Sequence, residues 1–492
     1  MKKSLQSTFA LIIVLATLIA WYLVYEKKVK PDQAKADEQA KQLLSLKQDD
    51  IQYIALDRHE PGNQSSQSVP TPVIKLKRTG TEWGILEPVV DGADNANITS
   101  MLGTLTTTKY ERIVEEKAKD LAIYGLKDPS IKFTASKDAT SPGETLFIGD
   151  DTPVGASIYV KTDKSDAVYK MPTSFKSAIN KKLFDLRNKK VVNLTRPEVS
   201  EIEVQNGKDS FVLTKNEKDE WTLARENLPA DAGEVNKLLG TIIDLKAKSF
   251  ASEDATNLSA FGLNPPKVKI WLTKGKEKTR ESVWIGTGKD LVYAKREDRK
   301  VVYEVDKDAL AKITKPSTAY RSLELAKFNR FDVNRIRLER GHELLDLVKE
   351  DAGWTMPAEP KFKVDSTKMD SLLAQLQDTK AQKYLTKGEA NLVKSPALVV
   401  HIFDKNNKDK AKVTLTFGKK QKDLVPVLRE GLDLPFVIKD SDFARVDVTK
   451  HLLEKGPDAP PKPNGNSVPG GPGNLFENGK GNTDSNSSQE KS

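Results

Sequence analysis

The chain contains a short string that occurs twice at a fixed distance, and this repeat limits its architecture more than any other feature. An aromatic residue, glycine, leucine and proline occur in that order within residues 124–129 and again within residues 261–266. A tryptophan precedes each string and a glycine follows it: Trp83 and Gly149, then Trp221 and Gly286. The tryptophans are 138 residues apart and the glycines 137. Landmarks that keep one distance indicate copies of one structural module.

A third and more diverged copy follows the first two. Its landmarks lie 130 to 133 residues after those of the second copy, at Trp354, Pro396 and Gly418. The aromatic residue and its glycine are missing there. A chain of 492 residues is also too long for one hydrophobic core. The sequence therefore predicts three tandem modules, at residues 51–192, 193–330 and 331–455.

Each copy opens with strands and continues into a helix. Apolar and polar residues alternate from Ile51, Val199 and Val333 onward, as in strands with one buried face. Past the tryptophan, an aspartate precedes an amphipathic segment: Asp94, Asp231 and Asp365. An aspartate there can accept hydrogen bonds from the free N–H groups of a first helical turn, so we predict helix caps rather than a shared acidic cluster. Apolar residues then recur at spacings of three and four, which places them on one helix face.

The aromatic-glycine-leucine string is interpreted as the end of a short helix. Gly125 and Gly262 can adopt the left-handed conformation that terminates helices, and a proline prevents continuation, at Pro129, Pro266 and Pro396. Four short strands follow, and Gly149, Gly286 and Gly418 lie among them. We therefore predict an α+β fold in which each module is a mostly antiparallel sheet with one main packed helix. The recurring tryptophans are predicted to pack in the cores; the alternative is a sugar-stacking platform.

The N-terminus predicts a membrane anchor. After a stub of residues 1–4, residues 5–25 carry no formal charge and would span roughly 31 Å as a helix. Trp21, Tyr22 and Tyr25 lie at its end, where aromatic rings favour the interface. The alternative, a cleaved signal peptide, lacks a good small-x-small cleavage site. Residues 26–50 are rich in helix-forming polar residues and are predicted to form a helical stalk.

Charge on the two sides of the anchor does not fix its orientation. Lys2 and Lys3 precede it, and Lys27, Lys28 and Lys30 follow it. The short stub favours export of the C-terminal bulk. We therefore expect a single-pass protein of the bacterial inner membrane with its modules on the periplasmic side. Residues 456–492 are rich in proline, glycine, asparagine and serine and are predicted to be a disordered tail.

Composition limits the chemistry. The net charge of +9 comes from interspersed residues of both signs, which favours a solvated surface over a nucleic-acid-binding stripe. The absence of cysteine excludes disulfides, thiolate metal sites and cysteine nucleophiles. The four histidines of the chain are scattered and form no His-Glu-x-x-His pattern. Gly286-Thr-Gly-Lys289 has Val283 where a phosphate loop needs glycine, so a hairpin turn is predicted. We expect no catalytic residue, no cofactor and no metal, and predict that the protein is not an enzyme.

The recurring tryptophan, capped helix, aromatic-glycine-leucine-x-x-proline string and Ile-Gly pair, together with the anchor, resemble a bacterial family named only as a domain of unknown function, DUF4340. The resemblance covers roughly residues 50–455 and is weakest in the third copy. Members of that family look like partners of ABC-type export permeases and of gliding-motility auxiliary subunits. The resemblance implies an accessory role in the cell envelope, and it carries over no catalytic residue.

Two functions remain open from the sequence. The first is a membrane-anchored envelope accessory protein whose three modules bind other proteins, in association with an ABC-type transporter complex. The second is an envelope scaffold, or a glycan- or peptide-binding protein that uses grooves between modules. The oligomeric state is not predicted by either.

Overall fold

The computed structural model describes residues 15–24, 41–61, 68–275, 278–405 and 409–456. The chain divides into two compact units, Met1–Ser322 and Leu323–Ser492. The first unit contains two β-sheets and the second contains one. Below, each sheet and the helices packed on it are called module 1, 2 or 3 in chain order.

Module 1 is built on a ten-stranded sheet with the strand order β5-β4-β3-β1-β7-β8-β9-β10-β6, and β2 pairs with β1 beside it. Neighbouring strands are antiparallel. Its elements are β1 (Tyr53–Pro61), β2 (Ser68–Pro70), β3 (Ile74–Thr79), β4 (Glu82–Glu87), β5 (Asp91–Gly92), α1 (Asn95–Thr107), β6 (Arg112–Glu115), β7 (Ile131–Ser136), β8 (Glu144–Asp151), β9 (Ser157–Thr162), β10 (Val168–Pro172), α2 (Thr173–Ile179) and α3 (Leu183–Leu186).

Module 2 repeats this arrangement in nine strands with the order β14-β13-β12-β11-β16-β17-β18-β19-β15. Its elements are β11 (Val199–Asn206), β12 (Asp209–Lys215), β13 (Trp221–Leu223), β14 (Leu228–Pro229), α4 (Ala232–Ile243), β15 (Ser249–Ser252), β16 (Val268–Lys274), β17 (Thr279–Gly288), β18 (Leu291–Arg296), β19 (Val302–Val305) and α5 (Lys307–Ile313).

Module 3 has eight strands with the order β22-β21-β20-β24-β25-β26-β27-β23. Its elements are β20 (Val333–Arg340), β21 (Glu343–Glu350), β22 (Gly353–Thr355), α6 (Ser366–Asp378), β23 (Lys383–Tyr384), β24 (Leu398–Asp404), β25 (Val413–Phe417), β26 (Leu424–Arg429), β27 (Phe436–Lys439), α7 (Asp440–Val446) and α8 (Lys450–Leu453). The prediction of an α+β fold with mostly antiparallel sheets is confirmed.

In every module the main helix carries the chain from one edge of the sheet to the other. The strand before it is one edge (β5, β14 or β22), and the strand after it is the opposite edge (β6, β15 or β23). The helix therefore crosses one face of the sheet and buries its apolar side there. The predicted apolar faces are confirmed: Ile98, Met101, Leu102 and Leu105; Val235, Leu238, Leu239 and Ile242; Met369, Leu372, Leu373 and Leu376.

The same backbone hydrogen bond occurs in all three modules and shows which residues at the module ends are equivalent, whatever their side chains. The N–H of each aspartate before a main helix donates to a carbonyl at the end of the same module. The pairs are Asp94 with Leu186 at 2.8 Å, Asp231 with Tyr320 at 2.8 Å, and Asp365 with Leu453 at 2.9 Å. Leu186, Tyr320 and Leu453 therefore occupy equivalent positions, and module 2 has a phenol where the other two modules have an aliphatic side chain.

Arg187 joins modules 1 and 2, which lie in the same compact unit. Its side chain is 2 % exposed, and its Nε donates to Asp91 Oδ2 at 2.6 Å. The two other guanidinium nitrogens bind both carboxylate oxygens of Glu253, at 2.5 and 2.8 Å. The Phe250 ring lies over the guanidinium, with its centroid 3.6 Å from Cζ. One side chain of the connecting segment is thereby bonded to an edge strand of module 1 and covered by an aromatic ring of module 2.

Residues 41–50 differ from the predicted helical stalk. They contain a bridge between Gln42 and Lys109 and a single 3-10 turn, Gln48–Asp50. Leu44 is 3 % exposed in the core of module 1, and Ser45 N donates to Glu144 Oε2 at 2.7 Å. Burial of an apolar side chain against the sheet outweighs the small helix propensity of these residues. The remainder of the predicted stalk, residues 26–40, lies outside the described residues.

Residues 15–24 are helical, and their side chains are exposed. Within the described ranges, no helix is both long and apolar enough to cross a membrane. Residues 5–14 and Tyr25 of the predicted anchor, and the predicted tail past Gly456, lie outside those ranges. The anchor and the disordered tail therefore stay predictions.

Candidate functional site

The aromatic-glycine-leucine string ends a 3-10 helix in modules 1 and 2. The helices Ala122–Tyr124 and Leu258–Phe261 stop at Gly125 and Gly262, whose φ angles are 64° and 63°. Glycine adopts this left-handed conformation without the strain that a Cβ would cause. The prolines follow, and each lies two residues before a strand: Pro129 before β7, Pro266 before β16 and Pro396 before β24.

The second repeated glycine packs directly against this string. A Cβ on it would overlap sterically with a backbone carbonyl oxygen in all three modules: Gly149 at 2.1 Å from Tyr124 O, Gly286 at 2.1 Å from Gly262 O, and Gly418 at 2.2 Å from Leu392 O. Two motifs that are far apart in the sequence therefore form one backbone contact. Module 3 keeps this contact although it lacks the aromatic residue and the first glycine.

We expect Gly286→Ala to destabilise module 2, because the new methyl group meets backbone that cannot rotate away. Overpacking of this kind costs about 1–3 kcal/mol and occasionally more. Hydrogen exchange of the full-length chain should speed up in peptides from β16 and β17. Gly84→Ala is the control, because a Cβ there makes only ordinary contacts of 3.8 Å or more. Unchanged exchange in the Gly286 variant would contradict the proposed contact.

The remaining repeated residues hold the helix on the sheet. Trp83, Trp221 and Trp354 are 6 %, 6 % and 4 % exposed. The three aspartates are N-caps: Asp94 accepts from Asn97 N, Asp231 from Glu234 N, and Asp365 from Thr367 N and Lys368 N. Each aspartate caps the main helix of its own module, as predicted. None of the fourteen repeated residues lines the groove on module 2.

The groove lies on module 2, beside the main helix α4. It consists of two adjoining cavities of about 590 and 520 Å³, which share Gly240, Thr241 and Lys312 as lining residues. One wall is α4 and the other is α5. The 3-10 turns Arg196–Glu198 and Ser317–Tyr320 contribute Arg196 and Tyr320 to the first cavity. This volume is in the range that accommodates a small molecule or a short peptide segment.

Gly240 allows Arg196 to lie across the main helix. A Cβ on Gly240 would come within 2.9 Å of Arg196 Nη2. That nitrogen reaches over the helix to Asp244 Oδ2 at 2.5 Å. The pair is exposed, with side chains 53 % and 66 % accessible, so it positions the guanidinium at the groove and contributes little to stability.

The first cavity carries more positive than negative charge. Its ionisable lining residues are Arg196, Lys237, Lys312 and Lys315 against the single carboxylate of Glu234. Glu234 accepts from Lys237 Nζ at 2.7 Å and from Lys315 Nζ at 2.6 Å. These hydrogen bonds lower the pKa of Glu234 to about 2. Because one carboxylate is hydrogen-bonded to two ammonium groups, the two lysines together carry one more charge than Glu234 neutralises.

Tyr320 lines the same cavity with a buried hydroxyl. Its side chain is fully buried, and its ring packs on Phe211 with centroids 5.1 Å apart. The hydroxyl has no hydrogen-bond partner among the residues that the structure describes. Burial raises the pKa of Tyr320, and the carboxylates of Glu234 and Asp209 raise it further. The phenol therefore stays protonated and can donate a hydrogen bond.

Module 1 has the same groove backbone with fewer charged side chains. Gln48 takes the place of Arg196, since it also begins a 3-10 turn and lies 3.4 Å from a Cβ built on Gly103 in the main helix. Asn97 takes the place of Glu234, because both donate their N–H to the capping aspartate. In the main helix, Ser100 replaces Lys237 at the same offset. At the module end, where Leu186 is equivalent to Tyr320, Ala178 replaces Lys312, and Lys181 is the counterpart of Lys315. The charged groove is therefore a specialisation of module 2 relative to module 1.

The chain matches the family model described as Domain of unknown function (DUF4340) twice, over residues 83–227 and 221–396. Together these matches cover more than half of its length. The chain belongs to this family. Each DUF4340 match begins at a tryptophan, Trp83 or Trp221, so the sequence unit runs from the fourth or third strand of one sheet into the next module. No curated protein and no solved structure matches the chain.

The phosphate-loop-like string and the strand histidine His401 lie outside the groove. Lys289 and Asp290 form the two-residue turn between β17 and β18, which confirms the predicted hairpin in place of a phosphate loop. His401 lies on β24, with Nδ1 3.3 Å from Thr414 Oγ1. In the ranges that the structure covers, no group of three or more His, Cys, Asp or Glu residues is placed to hold a metal ion.

Proposed function

We propose that this protein is a membrane-anchored accessory of the bacterial envelope that binds other proteins through its modules, in association with an ABC-type export or gliding-type transporter complex. The observation that carries the proposal is the divergence between two copies of one architecture. Modules 1 and 2 share their helix caps, glycine contacts and groove backbone, whereas the groove of module 2 has basic side chains at three positions where module 1 has Gln48, Ser100 and Ala178. Duplicated scaffolds with different surfaces suit the binding of different partners.

The anchor and its orientation complete this proposal. The apolar segment of residues 5–25 would hold the chain in the inner membrane, and the modules would lie on the periplasmic side. Residues 41–50 belong to module 1, because Leu44 lies in its core and Ser45 is hydrogen-bonded to Glu144. A binding role, and not catalysis, is proposed for the modules.

Capture of a small ligand or glycan between modules is the second candidate, and the structure gives it less support. The groove described above lies within module 2. At the junction of modules 1 and 2, the space is occupied by Arg187, its carboxylate partners and Phe250. A peptide in the groove of module 2 is compatible with both functions, because it can belong to a protein partner.

The proposal is tested by cross-linking in intact membranes. A photoreactive amino acid replaces Thr241, which lines the groove, and in a second variant replaces Thr104, its counterpart in module 1. Both threonines donate their hydroxyl to the carbonyl one helical turn earlier, to Lys237 and Ser100, so the two probes have the same setting. We expect the Thr241 probe to capture a subunit of a membrane transport complex, identified by mass spectrometry, and the Thr104 probe to capture much less of it. Equal capture, or no membrane-complex partner from either position, would contradict the proposal.

A further inference from the structure

We infer that the groove of module 2 binds an acidic peptide segment, whose carboxylates are held by the lysines of the first cavity and by the hydroxyl of Tyr320. This inference rests on the proposed function and names the chemistry of the partner. It depends on three properties of the groove: an unpartnered donor, a surplus of cations, and a mixed-charge second half.

The unpartnered donor is a property of module 2 alone. At the equivalent positions the other modules have Leu186 and Leu453, which are 0 % and 1 % exposed and need no hydrogen bond. A buried hydroxyl without a partner destabilises a folded protein. Tyr320 keeps such a hydroxyl just behind the wall of the first cavity, where a ligand's acceptor reaches it once the side chains over it move aside. The hydroxyl would then be satisfied only in the complex.

The surplus of cations makes that acceptor an anion. Glu234 is ionised and engages both Lys237 and Lys315, while Lys312 lies on the opposite helix between the two cavities. A carboxylate entering here would accept from ammonium groups and from the phenol at the same time. Hydrogen bonds between charged partners are the stronger kind.

The second cavity favours a peptide over a phosphate group. It continues past Gly240 and Thr241, and apart from the shared Lys312 its carboxylates outnumber its lysines: Asp244, Asp306 and Asp308 against Lys246 and Lys248. Carboxylates at this end would repel a compact group of high negative charge. A peptide spreads its charge along its length and can place a carboxylate in the first cavity and neutral or basic residues in the second. Its amide groups and apolar side chains also suit the walls of Leu245, Ala247 and Ala309.

The test uses the purified full-length chain and two octapeptides of alanine with blocked ends, one carrying two glutamates near one end and the other two glutamines at the same positions. Binding is measured by isothermal titration calorimetry at low ionic strength. We expect the glutamate peptide to bind at least about tenfold more tightly than the glutamine peptide, since hydrogen bonds to charged groups contribute more than neutral ones. Equal binding of the two peptides would overturn the inference.

Variants guided by module 1 locate the site. Tyr320→Phe removes only the hydroxyl, and Lys312→Ala introduces the residue that module 1 has at Ala178. Each should weaken binding of the glutamate peptide about fivefold, the effect of losing one hydrogen bond or one ion pair. Lys315→Ala should also weaken it, whereas Lys181→Ala, its counterpart in module 1, should leave it unchanged. An affinity unaffected by all three groove variants would overturn the site.

Two competitors separate the peptide from other anions. Inorganic phosphate and vesicles containing phosphatidylglycerol are each added to the complex with the glutamate peptide. Displacement by phosphate at a concentration equal to that of the peptide, or displacement by the vesicles, would overturn the peptide assignment; persistence of the complex supports it.

The failure of this inference is distinguishable from failure of the proposed function. If Thr241 captures a transport subunit but the octapeptide does not bind, only the ligand class is wrong. If the octapeptide binds but Thr241 captures no partner, the accessory role is wrong.

Discussion

Replacement of Arg187 by alanine is expected to lower the free energy of unfolding of the Met1–Ser322 unit by about 3 kcal/mol, at the lower end of the range for a broken buried ion pair. Asp91 is 6 % exposed, so it would keep its charge in a place that water hardly reaches. The loss is limited because Asp91 Oδ1 still accepts from Arg299 Nη1 at 2.9 Å and from Gly92 N at 2.8 Å. Glu253 is 45 % exposed and can turn to solvent.

The effect should be local as well as large. Arg187 lies in the segment that connects modules 1 and 2, and the adjacent bridges join Ala93 to Arg187 and Lys190 to Lys246. Loss of the guanidinium removes its contact with Phe250 and both bonds to Glu253. Hydrogen exchange measured by mass spectrometry should therefore speed up first in peptides containing β5 and β15. Exchange in module 3 should change least.

Two variants control this prediction. Lys300→Ala breaks an exposed pair with Asp254, whose side chains are 77 % and 63 % accessible, and should cost no more than about 1 kcal/mol. Arg187→Lys keeps the charge but loses the planar fork that binds both oxygens of Glu253, so its effect should be intermediate. If Arg187→Ala were no more destabilising than Lys300→Ala, the junction would not depend on the buried pair.

The parts of the fold that the sequence predicts are those governed by local physics. The helix faces follow from spacings of three and four, because those positions share one side of a helix. The turn at Lys289 and Asp290 follows from its position between two alternating runs. The repeat multiplies this information, since a weak signal such as a single aspartate before a helix becomes specific when it recurs at Asp94, Asp231 and Asp365.

The parts that the sequence does not predict depend on contacts between distant segments. Nothing near Gly286 indicates that its Cα lies against the carbonyl of Gly262, because that approach exists only when β17 packs beside the 3-10 turn. Residues 41–50 have helix-forming composition, yet burial of Leu44 decides their conformation. Arg187 occupies a connecting segment, where a basic residue would ordinarily be interpreted as solvated.

One feature of the sequence marks the groove. Alignment of the module ends would place Tyr320 opposite Leu186 and Leu453, and a single polar substitution at a recurring apolar position marks a difference in function or packing. The lysines give no such signal, because 79 basic residues are spread along the chain. Only the structure shows that Lys237, Lys312 and Lys315 face one cavity.

Trp221→Ala is the second substitution with a large expected effect, about 3–5 kcal/mol, the usual loss when a buried aromatic residue is truncated to alanine. Trp221 is 6 % exposed in the core of module 2 and begins β13, the short strand that precedes the main helix. Its carbonyl accepts from Ala230 N at 2.9 Å, which leads the chain to the cap at Asp231. A cavity at this position should therefore loosen α4 as well as the sheet edge, and hydrogen exchange should speed up in peptides from both.

Trp271→Ala is the matched control, because Trp271 lies on the opposite face of the sheet beside Arg280 and is only partly buried. Its loss should cost about 1 kcal/mol, chiefly from reduced apolar burial. A similar effect of the two substitutions would contradict the assignment of the repeated tryptophan to the core, and a sugar-stacking role would then have to be tested directly.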